Sequence, residues 1–121
     1  MKEQKVVDVK RMDWFCRPTS TTGKMFGQKR LVEDPDMGMS IVMNRYPAGF
    51  TTERHRHPAA HGFYVLSGQI RSNNEYYGPG TMIWYEEGCI AEHGANAYED
   101  LICLQISNKH FSIEYMDREM N

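Results

Sequence analysis

The sequence predicts an all-β chain, an antiparallel sandwich or barrel. Short apolar or alternating segments follow one another along its whole length, Gly, Pro and Asn punctuate them, and no window carries a helical apolar stripe of three or more turns. Candidate strands cover residues 5–9, 28–32, 39–46, 52–57, 62–66, 69–72, 81–85, 101–106 and 110–116. Turn signals separate them at Asp34-Pro35, Pro47-Ala48-Gly49, Ser67-Gly68, Asn73-Asn74 and Gly78-Pro79-Gly80. Many short strands at this spacing favour an antiparallel double sheet or closed barrel.

Each element has its own signal. Residues 17–24, rich in Ser and Thr, read as an early loop. Leu66-Ser67-Gly68-Gln69 reads as a tight turn between paired strands. Residues 101–106 are a nearly unbroken apolar run, as in a central strand covered on both faces. Its one polar member, Gln105, points into a cavity or is a satisfied core amide.

Size and charge narrow the function. The chain has 121 residues and is expected to form one domain over 1–121. Its formal net charge is −2 with mixed signs, so no basic stripe invites nucleic acid. No segment has the length of a transmembrane span, and the N-terminus lacks the apolar core of a signal peptide. Cys16, Cys89 and Cys103 are an odd number with no close pair, which argues against a disulfide framework and makes the cytoplasm the expectation. The nine methionines read as flexible core filling. Thr21-Thr22-Gly23-Lys24 lacks the full glycine loop of a phosphate-binding motif, so nucleotide binding is set aside.

The chemistry concentrates in histidine. Four of the five stand at His55, His57, His61 and His93. In a strand, the two-residue step from His55 to His57 puts both rings on one face, about 7 Å apart along the chain. Pro58-Ala59-Ala60 then turns the chain so that His61 can begin the next strand and return to the same point. Neutral imidazole is the commonest transition-metal ligand, and four nitrogens suit zinc, iron, copper or nickel, not magnesium or calcium. The alternative reading is a set of exposed loop histidines. His110 lies outside the cluster and reads as an ordinary surface or core histidine.

The spacing Gly49, His55, His57, His61, Gly68 resembles the first motif of the cupins, with His61 where that motif usually has glutamate. Cupins with histidine there occur among the family's dioxygenases and cyclases. A second, weaker match has Gly80 and Gly88 at two glycine positions and Glu86 in place of the usual proline. Its last ligand falls at His93, two residues beyond the strict position at Ala91, in a His93-Gly94-Ala95-Asn96 ending of the family's kind.

The resemblance implies a jelly-roll β-barrel, with 1–38 as N-terminal strands and loop and 39–106 as the conserved barrel. It implies one divalent transition metal per chain, Fe2+ or Zn2+ with Ni2+, Mn2+ or Cu2+ admissible, held by His55, His57, His61 and His93. It also implies a homodimer, often with exchanged N-terminal strands, and a small-molecule substrate.

The leading expectation is a dioxygenase that cleaves a diketone or hydroxyketone. The alternatives are a zinc-dependent cyclase or isomerase of polyketide-like or sugar substrates, a non-catalytic metal- or ligand-sensing domain, and a structural metal site. Glu53, Glu92 and Tyr98 are candidate acid, base or orienting groups. Phe63, Trp84, Tyr46, Arg45 and Gln105 are candidate substrate contacts, while Tyr64 is expected to point outward from the His61 face.

Overall fold

The computed structural model describes residues 3–18, 25–110 and the backbone of 114–115. Among the described residues a 3-10 turn, Val9–Arg11, precedes twelve strands. These are β1 (Phe15–Pro18), β2 (Met25–Glu33), β3 (Ser40–Tyr46), β4 (His55–Arg56), β5 (His61–Ser67), β6 (Ile70–Ser72), β7 (Glu75–Tyr77), β8 (Met82–Tyr85), β9 (Ile90–Ala91), β10 (His93–Ala95), β11 (Leu101–Ser107) and β12 (Glu114–Tyr115). Among the described residues no helix is long and apolar enough to cross a membrane.

The strands form one six-stranded sheet in the order β1-β2-β3-β11-β5-β8 and two three-stranded sheets, β10-β6-β7 and β12-β4-β9. Every pair is antiparallel. The expected closure into a jelly-roll barrel is therefore corrected: the fold is all-β, but among the described residues its three sheets are not joined in a closed ring. The physical reason lies in the small sheets. β4, β9 and β10 are two or three residues long, and Pro58, which has no N–H to give a ladder, follows β4 closely.

The core sits between the large sheet and the two small ones. Phe63 and Val65 of β5, Leu101 and Cys103 of β11, Tyr46 of β3 and Tyr85 of β8 meet Ile70, Ala91 and Ala95 from the small sheets, with Phe50 wedged beside them. β11 occupies an interior position of the large sheet, between β3 and β5. Its residues 101, 103 and 107 are buried, whereas 102, 104 and 106 are half-buried on the opposite face.

Several local expectations need revision. Residues 5–9 form no strand: 3–8 are exposed and irregular, because Val6 and Val7 find no neighbouring ladder. β1, β7, β9 and β10 were not legible as strands. β7 exists because Asn73 and Asn74 take positive φ, 49° and 66°, which closes a two-residue hairpin of the type that follows strand twist. The loop expected over 17–24 begins instead with the last two residues of β1, and 19–24 lie outside the described residues. Of the strand expected over 110–116, only Glu114–Tyr115 falls on a described strand, and 111–113 and 116 lie outside the description.

Two glycines are required by close approach. Gly68 has φ +77°, and a Cβ there would lie 2.2 Å from the Asp100 carbonyl oxygen. A Cβ on Gly94 would lie 2.2 Å from the Phe50 carbonyl oxygen, where β10 is bridged to Thr51. Gly94→Ala is expected to cost about 2–3 kcal/mol by overpacking, measured by urea denaturation of the metal-free protein. A loss below about 0.5 kcal/mol, the range of neutral surface changes, would mean that β10 is not clamped to that loop.

Candidate metal centre

The period of the chain brings the histidines together. His55 on β4 pairs with Ala91 of β9, and His57 follows on the same face two residues later. His61 opens β5, opposite Tyr85 of β8 and Ser107 of β11. His93 opens β10, opposite Ser72 of β6. All four are buried, at 0%, 0%, 1% and 5% exposure in chain order. The ligand atoms of His55, His57 and His93 lie within 4.8 Å of one another. The compact group thus has three members rather than the four expected. His61 adjoins it, its ring centroid 4.5 Å from that of His57.

Backbone carbonyls set the tautomers. His55 Nδ1 lies 2.7 Å from the Glu53 carbonyl, His57 Nδ1 3.0 Å from the Cys89 carbonyl and His61 Nδ1 3.0 Å from the Ala59 carbonyl. A carbonyl only accepts, so each Nδ1 donates and each neutral ring keeps its lone pair on Nε2, as a metal ligand must. His57 Nε2 and His93 Nδ1 are buried and have no hydrogen-bond partner among the described residues. Buried nitrogens left in this state call for an explanation, and a cation that accepts imidazole lone pairs supplies one. The donor set fits a transition metal.

Burial also governs protonation. It is the largest cause that lowers the pKa of all four histidines. His57 is brought down to about 3, with the neighbouring His55 adding to the effect and the Cys89 carbonyl opposing it. His93 is held well below the usual value, with His55, His57 and His61 adding to burial. For His55 the Glu53 carbonyl and the Glu92 charge oppose the shift, and for His61 the Ala59 carbonyl does. At neutral pH the group is therefore neutral and ready to bind a cation.

Aromatic groups enclose it. Tyr85 stacks on His57 with centroids 4.6 Å apart and planes 2° apart, and its hydroxyl is 2.6 Å from Ser72 Oγ. Burial pushes the Tyr85 phenol up to about 12. Phe63 packs 4.7 Å from His93, centroid to centroid.

The other candidates are spread more widely. Phe63 faces the histidines, and Tyr46 is buried with its ring 6.1 Å from His93 and stacked on Phe50. Gln105 lies on the same inner face and accepts from Asn44 Nδ2 at 2.7 Å. Glu92 is half-buried between β9 and β10, close enough for its charge to act on His55 and Tyr85. Glu53 is exposed and reaches the group through its backbone carbonyl.

Trp84 lies on the outer face over Gly62, 41% exposed, and Tyr85 takes the inward position beside it. Arg45 is exposed and bound to Asp100, its Nη2 2.9 Å from the carboxylate, and it holds the Asp100 carboxyl below its ordinary range. Tyr98 is 92% exposed at the surface. Tyr64 points outward, Arg56 donates to the Gly88 carbonyl at 3.3 Å, and Cys103 is buried with its thiol pushed up to about 12. His110 is exposed and lies 3.2 Å from the Pro35 carbonyl. Sequence reasoning passed over Asn44, Ser72 and Ser107, isolated polar residues at inward positions. Strand parity was the one signal that could have found them.

Because the folded histidines sit below their unfolded value, the unfolded chain takes up protons first as pH falls. Their contribution to stability is complete above pH 6.5 and is lost progressively toward pH 3, where His57 itself protonates. Urea midpoints of metal-free protein are expected to fall between pH 7 and pH 4, and bound metal is expected to be released in the same direction. A flat stability profile and metal content unchanged at pH 4 would contradict this account.

No curated protein matches the chain. A family model described as the ChrR cupin-like domain matches residues 2–112. Among solved structures, the polyketide cyclase RemF from Streptomyces resistomycificus superposes with TM-score 0.77 at 17% identity, covering 94% of this chain and 86% of that one. A candidate acetylacetone dioxygenase from Methylibium petroleiphilum PM1 gives 0.79 at 13% identity, covering 97% and 85%. The structure of Rhodobacter sphaeroides SigE in complex with the anti-sigma ChrR gives 0.65 at 20%, covering 83% of this chain and about half, 51%, of that one. Identities this low speak for the fold alone. The family match spans nearly the whole chain and includes every buried histidine, so the protein belongs to the ChrR cupin-like domain family.

Proposed function

We propose that this chain is a metal-dependent enzyme acting on a small molecule with two neighbouring oxygens, and that its reaction is oxidative cleavage of a diketone or hydroxyketone. The observation that carries the reading is the buried, neutral, carboxylate-free group of His55, His57 and His93. These three would hold the ion, with His61 beside His57 as the fourth ligand. When bound, a divalent ion supplies Lewis acidity toward a substrate oxygen, and ferrous iron adds redox chemistry with dioxygen.

The chain's own residues would do the rest. Phe63 and Tyr85 exclude water from the site and wall an apolar portion of the substrate. Glu92, half-buried next to His93 and close enough for its charge to act on His55 and Tyr85, would hold or move a substrate proton. Tyr46 closes the side toward Phe50. Glu53, Tyr98, Trp84 and Arg45, which lie at the surface, receive no role in this reading. A homodimer belongs to it, formed at the edge strand β1, whose four residues are all exposed.

Two other readings have specific support. Likeness in fold to a polyketide cyclase favours a non-redox cyclisation. The family match and the likeness to the anti-sigma ChrR favour a binding or sensing role. Protein purified without added metal or a nickel column is expected to carry one iron per chain and to consume one oxygen per diketone or hydroxyketone lost. Turnover without oxygen use by an iron-loaded sample would replace the dioxygenase with the cyclase reading. Ligand binding with no turnover under any metal would favour the sensor. Light scattering at a single chain mass would remove the dimer.

A further inference from the structure

Opposite the histidines, the inner face of the large sheet carries a row of amides whose direction is determined from end to end. Gln28 on β2 is directly opposite Asn44 on β3, Gln105 on β11 is opposite Phe63, and Ser107 is opposite His61. Directly opposed residues in antiparallel strands share a face, so Gln105 and Ser107 look the same way as Phe63 and His61.

The row begins at Arg17, whose guanidinium can only donate. Its Nη1 donates to Gln28 Oε1 at 3.1 Å, Gln28 Nε2 donates to Asn44 Oδ1 at 3.0 Å, and Asn44 Nδ2 donates to Gln105 Oε1 at 2.7 Å. Each link fixes which end of the next amide accepts. The last amide therefore presents its nitrogen, and Gln105 makes no further hydrogen bond among the described residues. Gln105 is half-buried.

Two residues on, about 7 Å along the strand, Ser107 is 1% exposed and its Oγ has no hydrogen-bond partner among the described residues. Buried polar groups are ordinarily satisfied. An unsatisfied hydroxyl destabilises the fold, and it is explained where something other than the fold uses it. The surroundings define what that is. Among the described residues no Asp, Glu or Arg is buried, and the one buried lysine, Lys29, lies on the outer face with its Nζ 4.6 Å from the Trp14 ring centroid. The residues directly opposite Gln105 and Ser107 are Val42, Phe63, Ser40 and His61, and none of them carries a fixed charge to match an ionised group.

We infer that Gln105 Nε2 and Ser107 Oγ form a two-point recognition site for the oxygens of an uncharged carbonyl- or hydroxyl-bearing small molecule. Gln105 and Ser107 contact the ligand, and Arg17, Gln28 and Asn44 are positioning residues that hold the Gln105 amide with its nitrogen outward. The assignment rests on the small-molecule reading above and specifies its substrate class, a neutral ketone or hydroxyketone rather than a carboxylate or phosphate ester.

The test uses the full chain, zinc-loaded and metal-free, titrated calorimetrically with 3-hydroxy-2-butanone and with lactate, alongside thermal melts. Metal-free wild type is expected to bind the hydroxyketone more tightly than lactate. Ser107→Ala is expected to weaken hydroxyketone binding about 3- to 10-fold, the loss of one hydrogen bond, and to melt no lower than wild type because it removes an unsatisfied group. Gln105→Glu still accepts from Asn44 but offers no donor, and is expected to weaken binding about 10-fold.

Unchanged hydroxyketone affinity in both variants overturns the inference. So does preference of metal-free wild type for lactate, failure of wild type to bind the hydroxyketone, or a lower melting point of Ser107→Ala, which would show its hydroxyl bound into the fold. Failure to take up zinc sinks the metal reading alone, because the metal-free titration still reads the two contacts. Absence of oxygen use sinks only the oxidative reaction.

Discussion

Four imidazoles are buried where the described structure places no buried carboxylate, and this constrains the rest of the design. A charged imidazole would find no partner there, so each ring enters neutral. Neutrality leaves a choice of tautomer, and the chain makes that choice with its own backbone. The Glu53 and Ala59 carbonyls each serve the histidine two residues later, and the Cys89 carbonyl reaches His57 from the turn ahead of β9. The turns and connections beside the short strands thus orient the rings of His55, His57 and His61.

The two halves of the site come from different layers. The small sheets contribute His55 on β4 and His93 on β10, with His57 just past β4. The large sheet contributes His61, Phe63, Tyr85 and the amide row that ends at Gln105. Phe50 and the close approach at Gly94 hold the layers together near His93. The compact histidine group and the amide row therefore lie on different layers, with His61 on the large sheet beside the group, consistent with a fold whose function lies in its site and not in its framework.

Legibility followed the strength of local signals. His55 and His57 could be placed on one face because their spacing matches the strand period, and His61 followed from the turn at Pro58. His93 needed the family resemblance, since thirty-two residues of intervening chain say nothing about distance in space. Residues 5–9 misled because Val6, Val7 and Val9 have strand propensity but no partner strand. At residues 84 and 85 two aromatics stand side by side, and only pairing with β5 decides that Tyr85 faces in and Trp84 out. Tyr98 and Arg45 looked suitable by type, yet both are exposed.

The sequence by itself determined the all-β class, the positions of the main strands and the histidine chemistry, because strand period, turn residues and ligand type are local properties. The tertiary structure decided that the sheets remain three, that three histidines form the compact group with His61 beside them, and that Gln105 and Ser107 share the face of His61. Those outcomes depend on which strands pair and in what register, and pairing is a non-local choice that no single segment encodes.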